Sequence, residues 1–403
     1  MTEVRTLGVL GAGTMGAGIA QVAAEAGIEV LMHDPLPGAT ERAHERIGGF
    51  LNRRAEKGEI TAEEAARALE CVRPVLSLES LATADVVVEA IPEDLDLKRD
   101  AFRRLDAAAP DGAILATNTS SLSVARIAAA TARPQRVAGM HFFNPVPLMA
   151  LVEVIAGPMT DAAVTERLAT LARRLGKTPV VVADTPGFVV NRVARPYYLE
   201  AFRILGEGMA GVEEIDAAMR GIGFRMGPFE LIDAIGADVN LAVSQSVFDA
   251  FFGDPRYRPH PLQRSLVDAG RLGRKTWGGC YDYAADGSRG APWPGLSRRA
   301  DGGTRLVPLE AAQIEARILA TMVNEAASAA ADGVAAPDSI DTAMRLGTNW
   351  PDGPLAWGER IGLSSVVHTL DALHATVPDG RYRAVPLLRA LAESGGSFYA
   401  ARQ

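Results

Sequence analysis

The segment Gly11-Ala12-Gly13-Thr14-Met15-Gly16 constrains this chain more than any other. It follows a short apolar run, residues 4–10, and opens a helical pattern over residues 17–26. A second apolar run, 28–32, ends in His33-Asp34. Strand, glycine turn, helix and strand at these lengths make a βαβ unit. Each glycine has its own duty: Gly11 permits a tight turn, Gly13 lets the backbone approach a pyrophosphate, and Gly16 lets helix and sheet pack closely. The helix N-terminus offers unpaired N–H donors to phosphate oxygens, and Thr14 and Met15, which lead into it, are counted with the glycines as cofactor-binding residues. Asp34 stands 23 residues after Gly11. Its carboxylate would accept hydrogen bonds from both ribose hydroxyls and repel a 2′-phosphate, so NAD is expected rather than NADP.

Further strands are expected at 86–88, 113–116, 137–140 and 179–182, with helices at 41–57 and 61–70 between them. Strands alternating with helices imply a doubly wound parallel sheet. After Pro186-Gly187 the pattern turns helical, at 192–207, 212–221, 228–235 and 239–252. Residues 284–308, rich in Gly, Pro, Asp, Arg and Ser, read as a linker, and the helical pattern resumes at Leu309. The second helical stretch repeats the first. Glu200-Ala201 recurs as Glu325-Ala326, Ile215-Asp216-Ala217-Ala218-Met219 as Ile340-Asp341-Thr342-Ala343-Met344, and Gly227-Pro228 as Gly353-Pro354, at offsets of 125, 125 and 126. One spacing kept over three features marks an internal repeat. The expected fold is an α/β Rossmann-like doubly wound parallel sheet followed by all-α helical domains, two copies of one module. The expected domains are 1–186 (NAD-binding), 187–283 (first helical module), 284–308 (linker) and 309–395 (second module).

Composition narrows the function. With 403 residues, more than one domain is expected, and 48% hydrophobic residues can build real cores. Cys71 and Cys280 are the only cysteines, too few for a disulfide framework or a thiolate metal site, and no metal is expected. A net charge of −8 without a basic block argues against nucleic acid as a partner. No apolar run is long enough for a bilayer and no secretory pattern opens the chain, so no membrane association and a cytoplasmic location are expected. Only Lys57, Lys98, Lys177 and Lys275 break an otherwise all-arginine set of 41 basic residues. Coding bias alone can produce that count, or the survivors mark places that need a compact ammonium.

Polar residues follow several strands on the edge where open α/β sheets bind ligands. They are Glu89 to Lys98, Asn118-Thr119-Ser120-Ser121 and His141-Phe142-Phe143-Asn144-Pro145, with Glu153 twelve residues beyond His141. A histidine here can take the proton of an alcohol while hydride leaves for a nicotinamide, and Glu153 could orient its ring. A histidine in isolation is more often a satisfied structural residue; position beside a cofactor is what favours the base.

These residues carry a family resemblance. The chain resembles the 3-hydroxyacyl-CoA dehydrogenases in Gly11-Ala12-Gly13-Thr14-Met15-Gly16-Ala17-Gly18-Ile19-Ala20, Val88-Glu89-Ala90-Ile91-Pro92-Glu93-Asp94, Asn118-Thr119-Ser120-Ser121-Leu122, Gly139-Met140-His141-Phe142-Phe143-Asn144-Pro145-Val146-Pro147, Asp184-Thr185-Pro186-Gly187-Phe188-Val189-Val190-Asn191-Arg192 and Gly227-Pro228-Phe229-Glu230-Leu231. The resemblance implies reversible NAD-dependent oxidation of an (S)-3-hydroxyacyl-CoA, with His141 as base, Glu153 as its partner, and Ser120 and Asn191 hydrogen-bonding the substrate oxygen. It also implies that Glu93, Lys98, Asn144 and Lys275 lie against NAD, with Lys57 near the CoA moiety. Three of the four lysines thus fall on ligand positions. Phe50 departs from the serine that relatives often carry on the CoA helix, and Arg53 and Arg54 are nearby candidates for a phosphate, or solvated helix-face residues. At the 125 offset Asn191 falls on Ala316 and Arg192 on Arg317, so the second copy lacks the amide. The second copy is expected to pack on the first and imitate the dimer of single-module relatives, giving a monomeric pseudo-dimer or a homodimer. A short-chain substrate such as 3-hydroxybutyryl-CoA is the first expectation. The tandem modules, found in the family's phenylacetate and aromatic-catabolism branch and in fatty-acid oxidation multienzymes, make 3-hydroxyadipyl-CoA the alternative. A dehydrogenase of free β-hydroxy acids, which would lack the His-Phe-Phe-Asn-Pro stretch, and a non-catalytic crystallin-like NAD-binding protein are the competing readings.

Overall fold

The computed structural model describes residues 3–296 and 307–400, which form two compact units, Met1–Phe188 and Val189–Gln403. In the first, β1 (Thr6–Leu10), α1 (Thr14–Glu25) and β2 (Glu29–His33) form the expected βαβ unit. There follow α2 (Ala39–Glu56), α3 (Ala62–Glu70), β3 (Val72–Pro74), β4 (Val86–Glu89), α4 (Leu95–Ala108), β5 (Ile114–Thr117) and α5 (Val124–Ala128). The unit closes with β6 (Val137–Phe142), β7 (Leu151–Ala156), α6 (Ala162–Arg174) and β8 (Thr178–Ala183). One eight-stranded sheet results, in the order β3-β2-β1-β4-β5-β6-β7-β8. Strands β4, β5 and β6 are buried along their whole length, as strands covered on both faces should be.

The doubly wound parallel sheet is present with one addition. β7 runs antiparallel to β6, and β8 parallel to β7. The sequence reading missed both β3 and β7. β3 is only three residues long and two of them are exposed. β7 carries a buried glutamate in mid-strand, which breaks the apolar run by which a buried strand is recognised. Because β1, β4, β5 and β6 are parallel, their carboxyl ends share one edge and bring Gly11, Glu89, Asn118 and Phe143 to it.

The second unit opens with α7 (Val190–Val193), α8 (Arg195–Gly206), α9 (Val212–Gly221), α10 (Pro228–Ile235), α11 (Ala237–Ala250) and α12 (Pro261–Asp268). β9 (Tyr281–Tyr283) closes the expected first module and pairs antiparallel with β10 (Arg289–Pro292), which lies in the stretch expected as a linker; residues 297–306 of that stretch lie outside the described residues. The repeat then appears element by element as α13 (Ala311–Ala331), α14 (Pro337–Thr348), α15 (Pro354–Ile361), α16 (Leu363–Thr376) and α17 (Pro386–Ser394). α10 and α11 map onto α15 and α16 end for end at the 126 offset. Gly236 and Gly362, each in the positive-φ turn between two such helices, match at the same offset. Asp216 accepts from the N–H groups of Phe229 and Glu230 at the start of α10, and Asp341 does the same for Leu355 and Ala356 of α15. The carboxylate thereby satisfies helix-end donors that glycine and proline cannot cap. The two copies pack on each other, α13 against α8 and α9, and α14 against α7. A ring cluster joins them: Phe224 stacks on Tyr197 at 4.9 Å and on Trp357 at 5.0 Å.

Candidate active site

The glycine turn does what its spacing predicts. Gly11 has φ +102°, and a Cβ there would lie 2.6 Å from the Ala90 carbonyl oxygen. A Cβ on Gly16 would come within 1.9 Å of the Gly11 carbonyl oxygen. A Cβ on Gly13 would meet nothing within 4 Å, so the turn is open on the side of Gly13. Gly13 also caps α1 without a side chain, leaving the first-turn donors at Thr14 and Met15 without side-chain acceptors. Asp34 accepts from the Ala12 N–H at 2.8 Å and the Leu36 N–H at 2.9 Å, one on each oxygen. A carboxylate has about four acceptor positions, so capacity remains for a diol. Open glycine, helix N-terminus and strand-end carboxylate together fit the phosphate and ribose of NAD.

Beside the turn stands a buried ion pair. Lys98 Nζ lies 2.6 Å from Glu89 Oε1 and 3.4 Å from Glu93, and donates to the Ile91 carbonyl at 3.2 Å. Its side chain is 1% exposed, so its ammonium is engaged inside the protein. Glu89, at the end of β4, also accepts from Thr117 Oγ1 at 2.7 Å and the Ile91 N–H at 2.8 Å. Burial pushes its carboxyl up, against the pull of Lys98. Glu93 gathers the loop after β5 through Thr119 Oγ1 at 2.7 Å, the Ser120 N–H at 3.0 Å, and Ser121 Oγ at 2.9 Å. Burial would raise its pKa, but these donors and Lys98 outweigh that and lower it. Glu93 thus fixes the position of Ser120.

His141 and Glu153 occupy facing positions of β6 and β7. His141 Nδ1 lies 2.8 Å from Glu153 Oε2. Glu153 is fully enclosed and His141 is 6% exposed. Phe143 and Phe188 flank the ring, with centroids 4.5 and 5.9 Å away. Asn118 Oδ1 accepts from the Phe142 N–H at 2.8 Å and ties the loop after β5 to the histidine strand. Asn144 follows on the exposed surface.

Lys57 is exposed at the end of α2, beside a groove of about 440 Å³ lined by Phe50, Arg53, Arg54, Pro147 and Leu148. Arg54 is committed to Glu25 at 2.8 Å and Glu59 at 3.0 Å, whereas Arg53 stands over the Phe50 ring, 5.9 Å from its centroid. The far wall has an unexpected support. Lys177 Nζ donates to the carbonyls of Val146 at 2.6 Å and Met149 at 2.9 Å. Burial lowers its pKa. Lys177, in the turn between α6 and β8, thereby holds the loop after the His-Phe-Phe-Asn-Pro stretch. Asn191 and Lys275 belong to the second unit: Asn191 is half-buried on α7, and Lys275 pairs with Asp238 at 2.6 Å.

Two family models cover most of the chain. The 3-hydroxyacyl-CoA dehydrogenase NAD binding domain matches residues 6–185, and the 3-hydroxyacyl-CoA dehydrogenase C-terminal domain matches twice, at 187–283 and 314–399. The chain belongs to the 3-hydroxyacyl-CoA dehydrogenase family. It is therefore an oxidoreductase whose cofactor is NAD. A 3-hydroxyadipyl-CoA dehydrogenase of Escherichia coli K12 is 41% identical, over 98% of this chain and 99% of that one. A probable 3-hydroxybutyryl-CoA dehydrogenase of Bacillus subtilis is 46% identical, over 70% of this chain and 98% of its own length. The crystal structure of a 3-hydroxybutyryl-CoA dehydrogenase from Escherichia coli K12 superposes with a TM-score of 0.89 at 40% identity, covering 98% of this chain and all of that one. As a dehydrogenase of this family the chain acts on an acyl-CoA, and no helix among the described residues is long and apolar enough to cross a membrane.

Proposed function

We propose that the chain oxidises the 3-hydroxyl of a short-chain (S)-3-hydroxyacyl-CoA, with His141 as the base. The observation that carries this is the enclosed His141–Glu153 pair, 2.8 Å apart at the carboxyl end of β6. An Nδ1–H donated to Glu153 leaves Nε2 as the acceptor, the tautomer a base needs. Nε2 takes the proton of the 3-hydroxyl as the carbonyl forms, and the Glu153 carboxylate stabilises the resulting imidazolium. Bound NAD supplies the acceptor for the hydride that leaves C3. Gly13, the first turn of α1 and Asp34 hold its pyrophosphate and ribose, and Glu93, Lys98, Asn144 and Lys275 are assigned to its remainder. Ser120 and Asn191 are assigned as donors to the substrate oxygen, where charge develops.

The groove beside α2 is assigned to the nucleotide end of CoA. Phe50, Pro147 and Leu148 offer apolar faces to the base, and Arg53 and Lys57 offer cations to phosphate. A chain of charge −8 needs such a local concentration of positive charge.

A dicarboxylic substrate, 3-hydroxyadipyl-CoA, is the second reading. What favours it is the match over nearly the whole chain, second module included, to a 3-hydroxyadipyl-CoA dehydrogenase. NADH oxidation with acetoacetyl-CoA and 3-oxoadipyl-CoA decides: a kcat/KM at least about tenfold higher for one names the substrate. Turnover of neither, or full activity in His141→Ala, would refute the proposal. We further infer that the second copy fills the pairing face of the first, so that the protein is a monomeric pseudo-dimer.

A further inference from the structure

We propose that Glu325 and Asp332, from the catalytically silent second copy, are positioning residues for Asn191. The inference rests on the role proposed for Asn191 above. α7 is four residues long, far too short to hold its own direction. Pro196, in the first turn of α8, has no N–H to carry helical bonding back from α8, and α8 is tied to Asn191 through a side chain, Arg195 Nε donating to the Asn191 carbonyl at 2.8 Å, which fixes the backbone at one point. The second copy has Thr321 at the matching place and a single continuous helix, α13. The break thus occurs only in the copy that bears the amide.

An outside clamp holds the short helix. Arg192, the neighbour of Asn191, is 1% exposed. Its Nε donates to Glu325 Oε1 at 2.7 Å, and its Nη2 to Ser328 Oγ at 2.9 Å and Asp332 Oδ2 at 2.6 Å. Glu325 is fixed in turn by Tyr257 OH at 2.5 Å and Arg256 Nη1 at 3.1 Å. Burial opposes the Arg192 charge, but Glu325 outweighs it and keeps the guanidinium ionised. Charge-assisted bonds of this kind fix position more firmly than neutral ones.

The repeat builds the same clamp a second time with the copies exchanged. Arg317 Nε donates to Glu200 Oε1 at 2.6 Å, its Nη1 to Glu207 Oε2 at 2.7 Å, and Tyr382 OH to Glu200 at 2.7 Å. Arg192, Glu200, Glu207 and Tyr257 map onto Arg317, Glu325, Asp332 and Tyr382 at the one offset of 125. The two clamps differ in partners, Ser328 on Arg192 against Arg203 on Glu200, and in what lies next to the arginine: Asn191 in one, Ala316 in the other. The second copy contributes to the reaction by fixing the segment on which Asn191 stands.

The molecule thereby contains its own control. Full-length Glu325→Gln is compared with Glu200→Gln, and Asp332→Asn with Glu207→Gln, by steady-state reduction of acetoacetyl-CoA and by thermal melting, with Asn191→Ala alongside. A purely structural clamp would affect both members of a pair alike. The inference expects similar melting shifts within each pair. It expects kcat to fall about tenfold to a hundredfold in Glu325→Gln and about threefold to tenfold in Asp332→Asn, as for a group misplaced by a fraction of an ångström to an ångström. Glu200→Gln and Glu207→Gln should hold kcat within about twofold, and the KM for NAD should not move in any of the four. Should Glu325→Gln fail to fold, the second pair decides, since Asp332 and Glu207 lie at the partly exposed rim of each clamp. Equal kcat within each pair, with Asn191→Ala strongly impaired, overturns the clamp alone. Full activity in Asn191→Ala overturns the role on which it rests.

Discussion

Replacing Glu153 by glutamine tests the proposed base most directly. The change keeps the shape of a side chain that is fully enclosed and removes its charge. Glutamine can still accept from His141 Nδ1–H, so the ring orientation survives. What is lost is the attraction between the imidazolium and the carboxylate, which are 2.8 Å apart at nearest atoms. With charge centres about 4 Å apart and an effective dielectric of about 20, that attraction is about 4 kcal/mol. Each 1.36 kcal/mol on a barrier is tenfold, so the ceiling is a loss of about three orders of magnitude in kcat. The assay is NADH oxidation with acetoacetyl-CoA, beside NADH binding by fluorescence and a thermal melt. Unchanged NADH affinity and an intact melt are expected, with kcat reduced by about tenfold to a thousandfold. A kcat within about threefold of the parent, less than 1 kcal/mol on the barrier, would refute the electrostatic role of Glu153.

The second and third glycines of the turn should separate cleanly. Gly13→Ala meets no atom and should fold normally while raising the KM for NAD about tenfold or more, whereas Gly16→Ala, whose Cβ would overlap the Gly11 carbonyl, should fail to fold; normal NAD affinity in Gly13→Ala would remove the pyrophosphate from that position. Lys57→Gln and Arg53→Gln together should raise the KM for acetoacetyl-CoA and leave it unchanged for a truncated thioester lacking the nucleotide, and an equal effect on both would move the nucleotide out of the groove. Lys177→Met should destabilise the protein by about 1–3 kcal/mol in chemical denaturation, because it strands the carbonyls of Val146 and Met149, and an unchanged midpoint would show that the ammonium is dispensable there. Light scattering should give the mass of one chain; a dimer mass would refute the monomeric pseudo-dimer.

Much of the site was legible because its signals are short. The glycine turn and Asp34 lie within one βαβ unit, and His141 stands at the end of its own apolar run. The repeat needed only that like residues recur at one offset. The other features join residues far apart in the chain. His141 faces Glu153 because β7 pairs antiparallel with β6 in one register, and a slip of one residue would turn Glu153 to the opposite face. The lysines show the limit of composition. Lys57 and Lys275 are exposed, Lys275 beside Asp238, while Lys98 closes on Glu89 and Lys177 on backbone carbonyls. A residue count carries none of these partners; they appear only when the fold brings the groups together.

The second helical copy divides in the same way. Its existence, its register and its missing amide follow from the amino-acid string, since alignment of a chain with itself needs no coordinates. The linkage of Arg192 to Glu325, 133 residues apart, and of Arg317 to Glu200, 117 residues apart, arises only when the two copies fold face to face. Each clamp arginine is buried against a carboxylate, and neither copy holds the principal partner of its own clamp arginine. Local pattern specifies each module; the requirement that every buried charge be answered specifies how the two are joined.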